Sequence, residues 1–207
     1  MVRIETSMGT IRVALFDDTP LHRDNFLRLS SEGYYDGTLF HRVISDFMIQ
    51  GGNPDSRGAV QGAPIGKGEA PYTIPAEINL PFLYHWRGAL AAAREADDVN
   101  PEYESSGNQF YIVWGKKQAP AAIRRVKDML AEKGIRLTYQ MTDDYEMRGG
   151  TPHLDGTYTV FGEVVEGLSV VDEIQQEPTD GNDRPLKDVV VLRAVVEQYS
   201  KDAKNSK

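Results

Sequence analysis

Apolar and other residues alternate from the first positions of the chain. In VRIETSMGTIRVALF, β-branched residues flank Ser7-Met8-Gly9, so the sequence predicts a β-hairpin over Val2 to Phe16. A helix is predicted next. Thr19 is suited to capping it, Pro20 to its first turn, and Phe26, Leu27 and Leu29 form an apolar face before Gly33 stops it. In TLFHRVISDFMIQGGNP the alternation returns, and Gly51, Gly52 and Pro54 end it. Two-fold alternation puts Phe40, Arg42 and Ile44 on one face of this strand, and Met48 with Gln50 together on a face of its second half. A guanidinium among Phe, Ile and Met is either paired or used.

A loop rich in glycine and proline follows, NPDSRGAVQGAPIGKGEAP. Short strands are predicted at Gly88 to Ala93 and Asn108 to Val113, with the acidic stretch READDVNPEYESSG as a solvated loop between them. TYTVFGEVV reads as a strand, Leu168 to Ile174 as a short helix, DVVVLRAVVEQY as a closing β run, and KDAKNSK as a flexible tail. One segment departs from this series of short strands. From Ala119 to Lys133, Ile123, Val126, Met129 and Leu130 recur at helical spacing between Pro120 and Gly134. With no repeat or low-complexity linker beside it, this amphipathic helix is expected to be an insertion, at about residues 115–150, in one domain spanning 1–200; the tail is 201–207.

Composition narrows the partners. Of the 207 residues, 40% are hydrophobic and 26% charged, which are ordinary values for a globular chain. A net charge of −8 disfavours nucleic acid or an anionic membrane as the main partner, because both would repel the protein's field. The sequence has no cysteine, which excludes disulfides, thiol catalysis and Cys-ligated zinc. No charged and apolar leader opens it, and no apolar run of about 20 residues spans a membrane. The expectation is a cytoplasmic location, or a periplasmic or envelope-associated one if a leader has been removed.

TPLHRDNFLRLSSEGYYDGTLFHRVISDFMIQGG, YTIPAEI, SSGNQFYIV and HLDGTYTVFGEVVEGLSVVDEI resemble, in order, the blocks of a cyclophilin-type peptidyl-prolyl cis-trans isomerase. The resemblance covers most of the chain except about residues 94–105, 115–150 and the tail. It implies a mainly β fold: a closed eight-stranded antiparallel barrel capped by two helices, with the active site on its outer face. It also implies rotation about X-Pro peptide bonds as the activity and proline-containing peptides, in unfolded or flexible proteins, as substrates. No cofactor or metal is expected, and the protein is expected to be a monomer.

Such a site needs neither nucleophile nor metal. An X-Pro bond resists rotation by roughly 18–20 kcal/mol because the nitrogen lone pair is delocalised into the carbonyl. When the bond twists, the lone pair returns to nitrogen, and a donor aimed there binds the transition state better than either isomer. Arginine, always charged and rigidly forked, suits that task. The resemblance makes Arg42 this donor and Gln50 its catalytic neighbour, placed to hold a substrate carbonyl or to orient Arg42. It assigns the proline seat to Phe47, Met48, Tyr111 and Leu154, and substrate contacts to Ala93 and Gln109. Taken singly, Arg42 reads as a surface ion pair and Phe47, Met48 and Tyr111 as core.

Three positions depart from the best-known cyclophilins. His153 stands where they have tryptophan, Tyr158 where they have histidine and Tyr111 where they have a second phenylalanine. His153 and Tyr158 therefore form a smaller, more polar substrate rim, and cyclosporin binding is expected to be weak. Two rival readings use the same groove: a catalytically weak proline-peptide binding module, and a holdase chaperone working through the inserted helix. Two accounts of the insertion stand: Ile123, Val126, Met129 and Leu130 simply pack its helix on the barrel, or in addition the following segment, IRLTYQMTDDYEMRGG, without regular structure, overhangs the groove with Tyr139, Met141, Tyr145 and Met147.

Overall fold

The computed structural model describes residues 1–63, 65–66 and 70–197; the expected tail at 201–207 lies outside them. The strands are β1 (Val2–Thr6), β2 (Gly9–Leu15), β3 (Arg42–Ile44), β4 (Met48–Gly51), β5 (Thr73–Ile74), β6 (Ala89–Ala92), β7 (Ser105–Ser106), β8 (Phe110–Val113), β9 (Val160–Glu166) and β10 (Val191–Val196). The helices are α1 (Pro20–Ser31), α2 (Pro120–Glu132), α3 (Tyr139–Met147) and α4 (Leu168–Gln175).

Eight strands form one antiparallel sheet in the order β10-β1-β2-β9-β6-β8-β4-β3, and β5 pairs with β7 separately. Among the described residues no ladder joins the two edges. An isolated bridge between Leu39 and Val190 crosses that seam, with Phe40 N donating to Val189 O at 2.9 Å and Val191 N to Thr38 O at 2.7 Å. The expected closed barrel is therefore an open half-barrel. Its edge strand β3 holds three residues, and the segment leading into it has left the ladder.

Alternation divides the central strands between two apolar layers. Ile49, Leu90, Ala92, Phe110 and Ile112 point into the main core, where Phe26 and Leu29 of α1 and Val171 and Ile174 of α4 meet them. Met48, Ala89, Ala91, Tyr111 and Val113 point outward into a second cluster with Phe47, Leu154 and Tyr158. Phe40 joins the main core, contrary to the face expected for it. The strand period does not reach back past Arg42, so Phe40 and Arg42 do not share a face.

α1 ends as expected: Gly33 takes φ 68°, Tyr34 N bonds to Leu29 O and Gly33 N to Ser30 O. Its start differs. The Thr19 side chain makes no cap bond, and its hydroxyl reaches Phe16 O at 3.5 Å. Instead the Glu77 carboxylate accepts Leu21 N at 3.1 Å and His22 N at 3.0 Å, so the cap comes from a distant loop. Glu77 also meets His22 Nδ1 at 2.7 Å, and His22 Nε2 meets the Ser105 hydroxyl at 2.8 Å.

α2 forms where its periodicity placed it, burying Ile123 and Leu130 but leaving Met129 39% exposed. The following segment, expected to be irregular, contains α3, capped by the Thr138 hydroxyl on Met141 N at 3.2 Å. Met141 and Tyr145 are buried in a small cluster with Ile123 and Tyr84, so they do not overhang a groove. The missed signal is Thr138, followed by buried residues four apart.

Candidate active site

Cross-strand register assembles the site. Arg42 pairs with Gln50, Gln50 with Tyr111 and Tyr111 with Ala91, forming one row across β3, β4, β8 and β6. Ile44, Met48 and Val113 form the next row. Directly paired residues share a face, so the alternation that fills the core with Ile49 and Ile112 also gathers these side chains outside it. Above them lies a cleft of about 370 Å³. Phe47, Leu154 and Tyr158 wall its apolar end, Arg42 and Gln50 its polar end, and Ala93, Arg94, His41, Ile65, Gly66 and Asn182 complete it.

Eight of the ten residues anticipated from sequence line this cleft: Arg42, Phe47, Met48, Gln50, Ala93, Tyr111, Leu154 and Tyr158. Gln109 stands behind Gln50. His153 stacks on Phe47, ring centroids 5.5 Å apart at 25°, and so touches the cleft through that ring.

A directed series of hydrogen bonds forms the polar wall. Arg42 Nη1 donates to Gln50 Oε1 at 3.5 Å, Gln50 Nε2 to Gln109 Oε1 at 3.0 Å, and Gln109 Nε2 to the Gly66 carbonyl at 3.3 Å. On its other side Arg42 Nε meets Asp183 Oδ2 at 3.3 Å. The Arg42 side chain is 45% exposed, and its contact with Asp183 matches the surface ion pair that it reads as when taken singly. β3 is the sheet edge, so its outward side chains have a neighbouring strand on one side only.

Sequence reasoning missed Asp183, which lies in a tightly held turn. It takes φ 63°, its carbonyl accepts Val43 N at 2.8 Å, and Asp180 Oδ1 accepts Asn182 N and Arg184 N. Arg184, 3% exposed, anchors that turn through both oxygens of Asp188 and the carbonyls of Ala59 and Val60. The quoted sequence blocks stop before NDRP, so nothing in them pointed there.

Behind the apolar end lies a second polar series. Tyr111 presents its ring to the cleft while its hydroxyl meets His85 Nε2 at 2.9 Å; burial pushes that phenol well above its usual range. His85 Nδ1 and backbone N both meet Asp155 Oδ1 at 2.9 Å, and Tyr145 donates to Asp155 Oδ2 at 2.6 Å. Asp155 belongs to the LDG block, of which the sequence reading used only the leucine. His41 is 5% exposed, and burial lowers its imidazole to about 4, leaving it neutral at pH 7. Gly52 takes φ 93° against the Asn108 carbonyl, where a Cβ would collide, so it serves close approach as well as turning.

The family model for the cyclophilin-type peptidyl-prolyl cis-trans isomerases matches residues 1–196. The chain belongs to this family. A protein of Staphylococcus epidermidis provisionally named a peptidyl-prolyl cis-trans isomerase is 35% identical over 199 residues, covering 95% of this cyclophilin and 91% of the relative. A Streptococcus pyogenes protein provisionally named a bifunctional phosphatase/peptidyl-prolyl cis-trans isomerase is 39% identical over 194 residues. The match covers 92% of this chain but 37% of that longer protein. The Cryptosporidium parvum cyclophilin-type isomerase crystallised in the presence of the dipeptide Ala-Pro aligns with a TM-score of 0.67 and 26% identity, over 96% of this chain and 99% of its own. This cyclophilin is thus an enzyme of the peptidyl-prolyl isomerase class. Among its described residues, no helix is long and apolar enough to cross a membrane.

Proposed function

We propose that this cyclophilin turns X-Pro bonds in unfolded or flexible chains by placing the proline ring against Phe47, Met48, Tyr111 and Leu154 while Arg42 donates towards the prolyl nitrogen. The row Arg42–Gln50–Tyr111 carries this reading, because it sets a fixed cation beside an apolar seat on one face of the sheet. A bound chain would cover the half-exposed guanidinium, strengthening its field as the nitrogen lone pair returns. Gln50 turns its carbonyl oxygen to Arg42 and its amide to Gln109, which favours an orienting role. Ala93 faces the chain preceding proline, Gln109 supports the polar wall from behind Gln50, and His153 and Tyr158 form the rim.

Residues 1–200 act as one domain, with about 115–150 as an elaboration of the half-barrel and a monomer as the working unit. Nucleic acid is not a partner of so acidic a chain. With His153 at the rim, cyclosporin inhibits weakly; nanomolar inhibition in a titration would overturn that assignment. The reading as a whole is tested by a protease-coupled assay on an Ala-Pro tetrapeptide. Catalysed isomerisation supports it, whereas peptide binding without catalysis favours a docking module.

A further inference from the structure

The series beneath Tyr111 begins on α3, outside the strands that make the cleft. Tyr145, Asp155, His85 and Tyr111 are each at most 4% exposed. The contacts between them, 2.6 Å, 2.9 Å and 2.9 Å, lie within the range of good hydrogen bonds. The Asp155 carboxylate accepts, so His85 donates from Nδ1, and in that tautomer Nε2 is left to accept the Tyr111 hydroxyl. Every donor and acceptor then has one consistent direction. Phenylalanine at 111 would fill the same cleft wall but could not join this series. The tyrosine thus ties the wall to a carboxylate, and through it to α3.

We propose that Tyr145 is a positioning residue for the isomerase: it holds Asp155, Asp155 holds His85, and His85 fixes the Tyr111 ring against which the substrate proline packs. The α2–α3 segment therefore acts from behind the proline seat as a brace. This rests on the proposed function, since it takes Tyr111 as a wall of that seat. Ring packing is present in both ground and transition states, so loosening the wall weakens binding uniformly and appears in KM more than in kcat.

Tyr145→Phe removes one hydroxyl and keeps the ring in its cluster. On the Ala-Pro tetrapeptide it should raise KM about three- to tenfold, the span of one buried hydrogen bond, with kcat within about twofold. A merely structural tyrosine would reduce the folded fraction, lowering apparent kcat and leaving KM unchanged, and that result overturns the proposal. In a Tyr111→Phe background, Tyr145→Phe should add nothing to KM; fully additive effects also overturn it. Should the wild type bind the peptide without turning it over, the proposed function falls and the same comparison is made on peptide affinity. Nitrogen NMR of the wild-type histidines gives a test free of folding defects. His85 protonated at Nδ1 supports the series, and the opposite tautomer sinks it.

Discussion

Two carboxylate–imidazole–hydroxyl series with buried imidazoles stand among the described residues, built from nearly the same parts. Glu77–His22–Ser105 fastens the start of α1, whereas Asp155–His85–Tyr111 lies beneath the cleft. The first has the composition of a hydrolase triad, yet Ser105 is 1% exposed and its hydroxyl is committed to His22. The second ends on a phenol whose ring forms a wall of the cleft proposed to seat the substrate proline. Similar chemistry fastens a helix start in one place and a cleft wall in the other. The difference lies in what the terminal residue touches on its far side.

The largest effect should come from Glu77→Ala. It removes the acceptor for Leu21 N, His22 N and His22 Nδ1 together, leaving the first turn of α1 uncapped and a buried imidazole unpartnered. Losing the cap costs about 0.5–2 kcal/mol, and leaving the buried imidazole N–H unsatisfied about 1–3 kcal/mol more. Urea unfolding should show that loss, while KM for the tetrapeptide stays at the wild-type value in the folded protein. A rise in KM would dissolve the contrast between the two series.

Acid should act on the same side of the comparison. His22 is pushed down by burial, which outweighs Glu77, and His41 falls to about 4 for the same main reason. Their folded values lie below the unfolded value of about 6.5, so between these values the unfolded chain takes up protons that the folded one refuses. For both, the stability is complete above about pH 6.5 and falls as pH falls; for His41 it is lost as pH approaches about 4. For His41 alone this is about 3 kcal/mol. Unfolding midpoints measured from pH 7 to 4 should decline less steeply in His41→Gln, and an unaltered slope would assign the decline to other groups.

Arg42→Ala sharpens the comparison from the cleft side. A charge-assisted hydrogen bond contributes about 1.5–3 kcal/mol, so kcat should fall about ten- to a hundredfold or slightly more. The exposed pair with Asp183 is worth at most about 1 kcal/mol, so the melting temperature should barely move. A folded variant with unchanged kcat would move the donor role away from Arg42.

The contrast also marks what could be read from sequence. The opening hairpin, α1, α2, α4 and β9 were legible because period and terminator agree within each, as Pro20 and Gly33 do around α1. Of the eight cleft residues, Ala93 lies outside the quoted blocks, and the other seven were legible because they sit in contiguous blocks of the family pattern. Asp183 and Glu77 were not, because each acts on a residue far away in sequence: Asp183 on Arg42, Glu77 on the start of α1. The half-barrel seam escaped for a related reason. Whether two edges form a ladder depends on how the chain enters β3, which no local pattern encodes. α3 was overlooked because its nine residues carry only two buried positions, too few for a clear apolar stripe.

The smallest effect is the most discriminating. Ser105→Ala deletes the terminal hydroxyl of one series as Tyr111→Phe does of the other. With His22 donating to Glu77 from Nδ1, the Ser105 hydroxyl is what satisfies the buried Nε2 lone pair. Losing it costs about 1–2 kcal/mol of stability, the penalty of one buried unsatisfied acceptor. The same penalty applies to Nε2 of His85 when Tyr111 loses its hydroxyl, so urea midpoints should drop by similar amounts in both variants. KM should separate them. It rises in Tyr111→Phe, whose ring is a wall of the cleft, and stays put in Ser105→Ala, whose neighbours are the start of α1 and the short pairing of β5 with β7. Equal rises in KM would mean that α1 feeds the cleft as α3 does, and that the position of the last residue does not decide which series serves function.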